Sequence, residues 1–371
     1  MGKIHVGIIF GGRSGEHEIS LRSARAVADA IDRDTYDVTL IGVDRAGHWH
    51  LLDEGVFREL TNARLPAVSS SGREVMLLPA PARGQLMSLE RSAVIARLDA
   101  VFPVLHGPYG EDGTIQGFLE LADIAYVGAG VLGSAVGMDK DVQKRLLQAA
   151  GIPVVPFLAV TRKQWITGSA AITQRACDLG LPLFVKPANL GSSVGITKVK
   201  VLATLPEAVS AALEYDTKVV IEKGIAAREI ECAVLGNDDP HASVPGEICP
   251  NAEFYSYEAK YIDENGAALL IPAPLSGSET QAVRELAVRV FTLLDCAGMA
   301  RVDFFLERGS GSLFVNEINT IPGFTNISMY PKLWEASGVP SRQLISRLIE
   351  LGLERREERR RLKKTPGIES R

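Results

Sequence analysis

Arg301-Val-Asp303-Phe-Phe-Leu306 and Val315-Asn-Glu317-Ile-Asn319 place a cation, two carboxylates and a carboxamide at alternate positions of two short runs. Successive strand side chains point to opposite faces, so Arg301 shares a face with Asp303, and Glu317 with Asn319. The intervening Glu307-Arg-Gly309-Ser-Gly311 is turn-forming. A hairpin pivoting near Ser310 sets Asp303 opposite Glu317 and Arg301 opposite Asn319. Two carboxylates and an amide oxygen, backed by apolar Val302, Phe304 and Leu306, are hard donors. They suit Mg²⁺ shared with substrate phosphates and disfavour zinc. The plainer alternative leaves both carboxylates facing solvent with Arg301 balancing them.

Four other segments carry groups of the same chemistry. Phe184-Val185-Lys186-Pro187 sets a lysine inside an apolar strand, followed by Gly191-Ser192-Ser193-Val194-Gly195. Such a lysine needs an anion, either a carboxylate or a phosphate that the glycine loop lets approach. Val219-Val-Ile-Glu222-Lys223, with Glu229 a few residues on, offers acceptors of the kind that purine amino and ribose hydroxyl groups need. Gly11-Gly-Arg-Ser-Gly15-Glu16-His-Glu18 joins a strand to a helix; its carboxylates either stabilise the helix start or meet a substrate ammonium. His106, in Leu105-His106-Gly-Pro-Tyr-Gly110, ends an apolar strand where open α/β sheets bind ligands, or is satisfied there by a backbone carbonyl.

The elements that must hold these groups read as α/β. Ile4 to Phe10, a helix with apolar Leu21, Ala24, Val27 and Ile31, then Val38 to Val43 and Ala100 to Leu105, make a doubly wound beginning. Residues 61–93, rich in Ser, Pro, Arg and Ala, read as a surface insertion or edge hairpin rather than core. Helix Lys140 to Ala150 stops at Gly151-Ile-Pro153, and a second block holds strands Leu183 to Pro187, Val194 to Val199 and Lys218 to Lys223 with helix Pro206 to Tyr215. A third holds strand Glu229 to Leu235, helix Ser278 to Ala297 and the hairpin.

Composition narrows the function. The chain has 371 residues, 46% of them hydrophobic and 23% charged, enough for two or three domains with their own cores. A net charge of −5 offers no basic excess for nucleic acid, and the Arg355 to Lys364 cluster, interleaved with Glu, reads as a solvated, fraying helix end. No run suits a signal h-region or a membrane span, so a cytoplasmic location without membrane insertion is expected. Cys177, Cys232, Cys249 and Cys296 are scattered and are expected as buried, reduced hydrophobes. Gly128-Ala-Gly130-Val-Leu-Gly133 matches a dinucleotide fingerprint in letters, yet no Asp or Glu occurs between Asp141 and Asp178 to meet a ribose. A Gly-rich turn into a small-residue helix is the better reading. A P-loop is absent, since no Gly-Lys-Ser or Gly-Lys-Thr triplet occurs.

Taken together the motifs resemble the ATP-grasp superfamily and, within it, the D-alanine:D-alanine ligases, over nearly the whole chain. They are GGRSGEHEIS at 11–20, LHGPYGEDGTIQG at 105–117, MDK at 138–140, FVKPANLGSSVGITKV at 184–199, IEKGI at 221–225, REIECAVLG at 228–236, FYSYEAKY at 254–261, GMARVDFF at 298–305 and NEINTIPGFTNISMYP at 316–331. The resemblance implies an α/β, three-domain ATP-grasp architecture: an N-terminal doubly wound parallel-sheet domain over residues 1–135, a central subdomain over 136–226 and a C-terminal one over 227–371. It implies ATP-dependent ligation of two D-alanine molecules through an acyl phosphate, for peptidoglycan. Two Mg²⁺ ions are implied, with Mn²⁺ as a substitute and a K⁺ dependence in some members, and so is a homodimer.

By the same resemblance Lys140, Lys186 and Lys260 look like phosphate contacts, and Glu222 and Glu229 like adenine and ribose acceptors. Asp303, Glu317 and Asn319 look like the metal ligands. Glu16 and His106 are similar to residues that orient the first D-alanine, and Ser328 to a contact for the second substrate's carboxylate. Arg301 with the Gly323 amide resembles an oxyanion site. Ser192 and Tyr261 look like a hydrogen-bonded group with Glu16 that closes the site, with 254–261 as a lid that excludes water. Glu258-Ala-Lys260-Tyr261 favours an amine nucleophile over the hydroxyl of D-lactate. The rivals are a ligase taking D-lactate or D-serine as second substrate, and a catalytically silent nucleotide-binding ATP-grasp protein.

Overall fold

The computed structural model describes residues 2–68, 72–81, 84–192, 194–250 and 267–363. Lys260, Tyr261 and the rest of 254–261 lie outside them. Three sheets follow one another along the chain. The first unit runs β1 (Ile4–Gly11), α1 (His17–Ala30), β2 (Tyr36–Val43), β3 (Trp49–Leu52), α2 (Glu54–Asn62), β4 (Arg73–Leu77), β5 (Gln85–Ser88), β6 (Ala93–Arg97), β7 (Ala100–Val104), α3 (Thr114–Leu121), β8 (Ala125–Tyr126) and α4 (Val131–Met138). Its sheet has the order β6-β5-β4-β3-β2-β1-β7-β8. The β2-β1-β7-β8 part is parallel, with Ile8 paired to Leu40 on one side and Phe102 on the other. These strands are near-continuous apolar runs, as expected where both faces are covered. α1 lays Leu21, Ala24 and Val27 onto them, each with no exposed surface, at roughly 1.5–3 kcal/mol for a fully buried Leu or Val.

Residues 61–93 form antiparallel edge strands, as the sequence reading allowed, but they also enter the core. β3 to β6 extend the sheet by antiparallel pairing, and Val75, Leu77 and Leu86 are buried in its core. Strands of four or five residues show only two or three inward positions each, too few for a period of 2 to stand out.

The second unit holds α5 (Lys140–Ala149), β9 (Phe157–Thr161), α6 (Arg162–Leu179), β10 (Leu183–Pro187), β11 (Thr197–Val199), α7 (Leu205–Ala212) and β12 (Lys218–Lys223). Its antiparallel sheet has the order β11-β10-β12-β9. Asp139 caps α5 by accepting from the Asp141 and Val142 amides, and Thr161 with Gln164 forms a capping box that starts α6. The third unit holds β13 (Ala227–Gly236), β14 (His241–Ala242), β15 (Gly246–Pro250), β16 (Ala267–Leu270), α8 (Gly277–Leu293), β17 (Gly298–Glu307), β18 (Leu313–Asn319), α9 (Met329–Ala336) and α10 (Ser341–Arg361). The order is β16-β15-β13-β17-β18, with β14 on β13. α10 returns to the first unit, where Leu344, Ile345, Leu348 and Ile349 share a core with Val6, Ile8 and Phe102.

Two further expectations are corrected. The basic end of α10 is helical as far as Arg361 and docked at two points: Arg355 stacks over the Tyr126 ring at 4.4 Å and donates to the carbonyls of Gly128 and Tyr126, while Arg359 pairs with Glu120. The partners that order this end come from α3 and β8, more than 200 residues away in the chain. Cys232 and Cys296 are buried as expected, but Cys249 is only partly so and Cys177 is exposed on α6. The Gly128–Gly133 segment is the turn into α4. A Cβ on Gly133 would lie 2.4 Å from the Asp295 carbonyl, so this glycine serves close packing.

Candidate active site

β17 and β18 pair as the hairpin reading requires: Arg301 faces Asn319 and Asp303 faces Glu317. The register then shifts, with Phe304 facing Val315, so Asn316 is an extra residue on β18. Such a bulge leaves a ladder carbonyl unpaired; the Asn316 oxygen accepts from Lys144 Nζ at 3.1 Å. On the other side β13 puts Glu231 opposite Asp303 and Glu229 opposite Phe305. One sheet face therefore carries Glu229, Glu231, Arg301, Asp303, Glu317 and Asn319. The reverse holds Val302, Phe304 and Leu306 in the core.

Contacts on this face are specific. Arg301 grips Asp303 in a bidentate pair, Nε to Oδ1 at 2.7 Å and Nη2 to Oδ2 at 2.8 Å. It also meets Glu231 at 2.8 Å. Asn319 Nδ2 donates to Asp303 Oδ2 at 3.0 Å. Among the described residues no group of three His, Cys, Asp or Glu side chains could chelate a metal. With two carboxylates and one carboxamide, an ion here completes its shell from phosphate oxygens and water, as Mg²⁺ commonly does. The donor set fits that ion, and no sulfur or imidazole joins it.

A cleft of about 470 Å³ separates this face from β10 and β12 and is lined by Lys140, Phe184, Lys186, Glu222, Glu229 and Glu317 among others. Lys140 opens α5, whose cap Asp139 is held by Lys218 of β12 at 2.8 Å. The Lys140 Nζ reaches the Leu190 carbonyl at 2.7 Å and Glu317 at 3.2 Å. Lys186 pairs with Glu222 at 2.6 Å, the carboxylate option of the sequence reading. Lys144, one turn beyond Lys140, takes the other Glu222 oxygen at 3.0 Å. Burial alone would raise the Glu222 carboxyl, but the two ammonium groups outweigh it and hold it at about 2. Burial pulls the Lys144 ammonium below the ordinary lysine value, whereas Lys186 is raised because Glu222 and Glu317 more than offset its desolvation.

Across the cleft the N-terminal unit supplies the remaining groups. Ser192 Oγ donates to Glu16 Oε1, joining the glycine loop after β10 to the start of α1. A Cβ on Gly107, whose φ is +76°, would lie 2.8 Å from Glu16 Oε2, so the loop after β7 reaches the carboxylate only as glycine. Glu18, by contrast, sits in the first turn of α1, the plain reading of that carboxylate, and also pairs with Arg45. His106 is buried with both nitrogens occupied, Nδ1 by the Ile321 carbonyl and Nε2 by Ser23 Oγ, each at 3.0 Å. Burial pushes it down to about 4, so it is neutral. Ser328 stands at the start of α9 without capping it. Its Oγ meets Thr325 Oγ1 at 2.8 Å and lies 2.8 Å from where a Cβ on Gly323 would be.

Four side chains at this site escaped the sequence reading: Lys144, Glu231, Ser23 and Glu111. Glu111 accepts from the Gly107 amide at 2.6 Å and from the Ile321 amide at 3.3 Å. Enclosure of its carboxyl, then the Glu16 charge, push it up to about 8. Glu231 and Lys144 had a signal, since alternation from Glu229 and helical spacing from Lys140 put them on functional faces. A larger cavity of about 650 Å³ beside Val43, Trp49, Val75, Leu77 and Phe118 gathers no comparable set of polar groups.

An antiparallel sheet and a second sheet gripping a cationic, carboxylate-lined cleft define an ATP-grasp enzyme. The chain belongs to the D-ala D-ala ligase family: the family's N-terminal model matches residues 5–129 and its C-terminal model residues 146–350. D-alanine–D-alanine ligase A of Chromobacterium violaceum is 51% identical over 358 residues, 96% of each chain. The structure of the D-alanine–D-alanine ligase from Coxiella burnetii superposes with a TM-score of 0.84 at 40% identity, covering 97% of each chain. VanG D-Ala:D-Ser ligase from Enterococcus faecalis gives 0.83 at 36%, covering 95% of this chain and 100% of that one.

Proposed function

We propose that this chain is a ligase that uses ATP to join two D-alanine molecules into D-alanyl-D-alanine for peptidoglycan. What carries this reading is one cleft lined by Lys140, Ser192 and Glu317, with Arg301 and Asp303 on the same sheet face as Glu317 and Glu16 bonded to Ser192. A carboxylate is a poor electrophile, so one oxygen of the first D-alanine attacks the γ-phosphorus of ATP and ADP leaves. The amine of the second D-alanine adds to the acyl carbon, loses a proton, and phosphate departs.

Lys140, Lys186 and Lys260 contact the phosphates, and Glu222 and Glu229 accept from adenine and ribose. Glu16 receives the ammonium of the first D-alanine, with His106 holding the wall beside it. Arg301 and the Gly323 N–H meet the developing oxyanion, donors aimed where charge appears in the transition state. Ser328 contacts the second carboxylate, and Ser192 with Tyr261 closes the site over Glu16. Asp303, Glu317 and Asn319 would hold two Mg²⁺ ions, replaceable by Mn²⁺, whose charge would offset that of the transferring phosphoryl group. Domain boundaries near 135 and 226, a homodimer and a cytoplasmic location complete the reading. Among the described residues no helix is long and apolar enough to cross a membrane.

The test is ADP release by the purified protein with ATP and Mg²⁺, comparing D-alanine, L-alanine, and D-alanine with D-lactate or D-serine, and identifying products by mass. D-alanyl-D-alanine formed from the D-isomer alone is expected. A mixed product in preference to the homodipeptide would move the chain to another acceptor class, and nucleotide binding without turnover would sink the ligase reading.

A further inference from the structure

Ser23 lies on α1 with no exposed surface. A serine inside a helix usually points to solvent or bonds back to its own helix. This one reaches off the helix, with Oγ 3.0 Å from His106 Nε2 and 3.2 Å from the Phe324 amide nitrogen. The polarity of the chain of bonds is fixed. The Ile321 carbonyl can only accept, so His106 Nδ1 carries the ring proton and donates to it. Nε2 of the neutral ring is then an acceptor, so the Ser23 hydroxyl donates to it and its oxygen accepts from Phe324 N–H.

Three side chains of the N-terminal unit thus hold two peptide groups of one loop. His106 takes the Ile321 carbonyl, Glu111 the Ile321 N–H, and Ser23 the Phe324 N–H. The Phe324 ring is fixed as well, edge-on to Phe102 at 5.8 Å and tilted on Tyr330 at 5.6 Å. Between these pinned points sits Gly323, whose N–H has no acceptor among the described residues. Between Ile321 and Phe324 the loop is anchored on both sides of the one backbone donor left without an acceptor among the described residues.

We propose that Ser23 is a positioning residue: through His106 and the Phe324 amide it sets the direction of the Gly323 N–H, so that oxyanion stabilisation depends on a hydroxyl of α1. This rests on the ligase reading above. Ser23 touches neither substrate nor nucleotide, and its main effect falls on the step in which the oxyanion forms.

The test compares wild type with Ser23→Ala and Ser23→Cys in steady-state turnover, ATP saturation and inhibition by a phosphinate dipeptide that mimics the tetrahedral adduct. Misaiming an oxyanion donor should cost somewhat less than deleting one, so Ser23→Ala should lower kcat by about 10- to 100-fold. KM for ATP should stay within about twofold, and phosphinate affinity should fall by about the same factor as kcat, because it samples the transition state. Ser23→Cys, of similar size and a weaker donor, should fall between, and it decides the matter if the alanine variant does not fold. Wild-type kcat in a folded variant would overturn the proposal. So would equal losses in kcat and ATP affinity with phosphinate binding intact, the mark of general loosening. A wild-type control that makes no dipeptide would overturn the ligase reading itself, independently of the variants.

Discussion

Lys144 Nζ lies 3.0 Å from Glu222 Oε1, with 1% and 2% of the two side chains exposed. Lys186 holds the other carboxylate oxygen at 2.6 Å, so one buried anion stands between two cations. Removing one partner of a buried pair typically costs about 3–5 kcal/mol, because a charge is left uncompensated. Lys186 remains here, so Lys144→Met should destabilise by about 3 kcal/mol, near the lower end of that range. It should also draw Glu222 wholly onto Lys186, taking that ammonium from the phosphates and raising KM for ATP by roughly tenfold. Urea midpoints and ATP saturation check both; unchanged stability would mean that Lys144 adds nothing to the carboxylate's surroundings.

Glu111 gives the protein a pH-dependent stability of defined sign. Enclosure and the Glu16 charge raise its carboxyl in the folded state from the ordinary 4.5 to about 8. The folded chain keeps a proton that the unfolded chain releases, so this contribution is fully present below the unfolded value. It is lost as pH rises towards the folded one. Unfolding free energy should therefore decline between about pH 5 and about pH 8, by at most about 1.4 kcal/mol per pH unit for one proton. Glu111→Gln, which cannot ionise, should flatten that decline in urea titrations across the same range. An unchanged slope would assign the titration to another group.

Much of this could be read from the chain. The Asp303–Glu317 and Arg301–Asn319 pairings follow from a period of 2 and a turn centred on Ser310, two strictly local signals. β10 and β12 stand where the apolar runs put them. The Asn316 bulge was illegible because a one-residue insertion changes no residue type. Ser23, Glu111 and the docking of Arg355 were illegible for another reason: each has its partner in a distant segment, and burial that gives a serine or arginine a role is a tertiary fact. Lys186 was legible as needing an anion, but the sequence left open which one. The fold gives it Glu222.

Arg301 is held by its fork geometry. Nε and Nη2 meet both oxygens of Asp303 while Glu231 approaches from β13. A lysine brings a point charge and cannot reproduce the bidentate contact. Arg301→Lys should therefore lower kcat by about 10²–10³, the loss seen when one oxyanion donor is removed, with KM for ATP within about twofold. Equal losses in both quantities would place the guanidinium in ground-state nucleotide binding instead.

Glu317 links the metal set to the phosphate lysines, since Lys140 Nζ sits 3.2 Å from it. Glu317→Gln keeps the shape and removes the charge, so an ion loses one of its two carboxylates. Turnover should fall by at least about 10³, as phosphoryl transfer rests almost wholly on positioning and charge. The lost ion pair with buried Lys140 should lower the melting temperature somewhat while leaving the variant folded. Raised Mg²⁺ should recover a little activity; a fully active variant would remove Glu317 from the metal site.

Gly323 and Ser328 are close enough that either constrains the other. A Cβ at 323 would meet Ser328 Oγ at 2.8 Å, inside any ordinary carbon–oxygen contact, and Ser328 is further tied to Thr325. Gly323→Ala must push the loop or the hydroxyl away, and the peptides at Ile321 and Phe324 are held by N-terminal side chains that resist movement. The hydroxyl should yield, so the variant should raise KM for the second D-alanine and lower kcat by roughly tenfold or more, leaving ATP affinity unchanged. Adding Ser328→Ala removes the clash but not the lost carboxylate contact. The double variant should recover kcat while KM for the second substrate stays high, and this split is what steady-state kinetics at saturating ATP would measure. If the double variant recovered neither, the alanine methyl would be acting on the Gly323 amide directly rather than through Ser328.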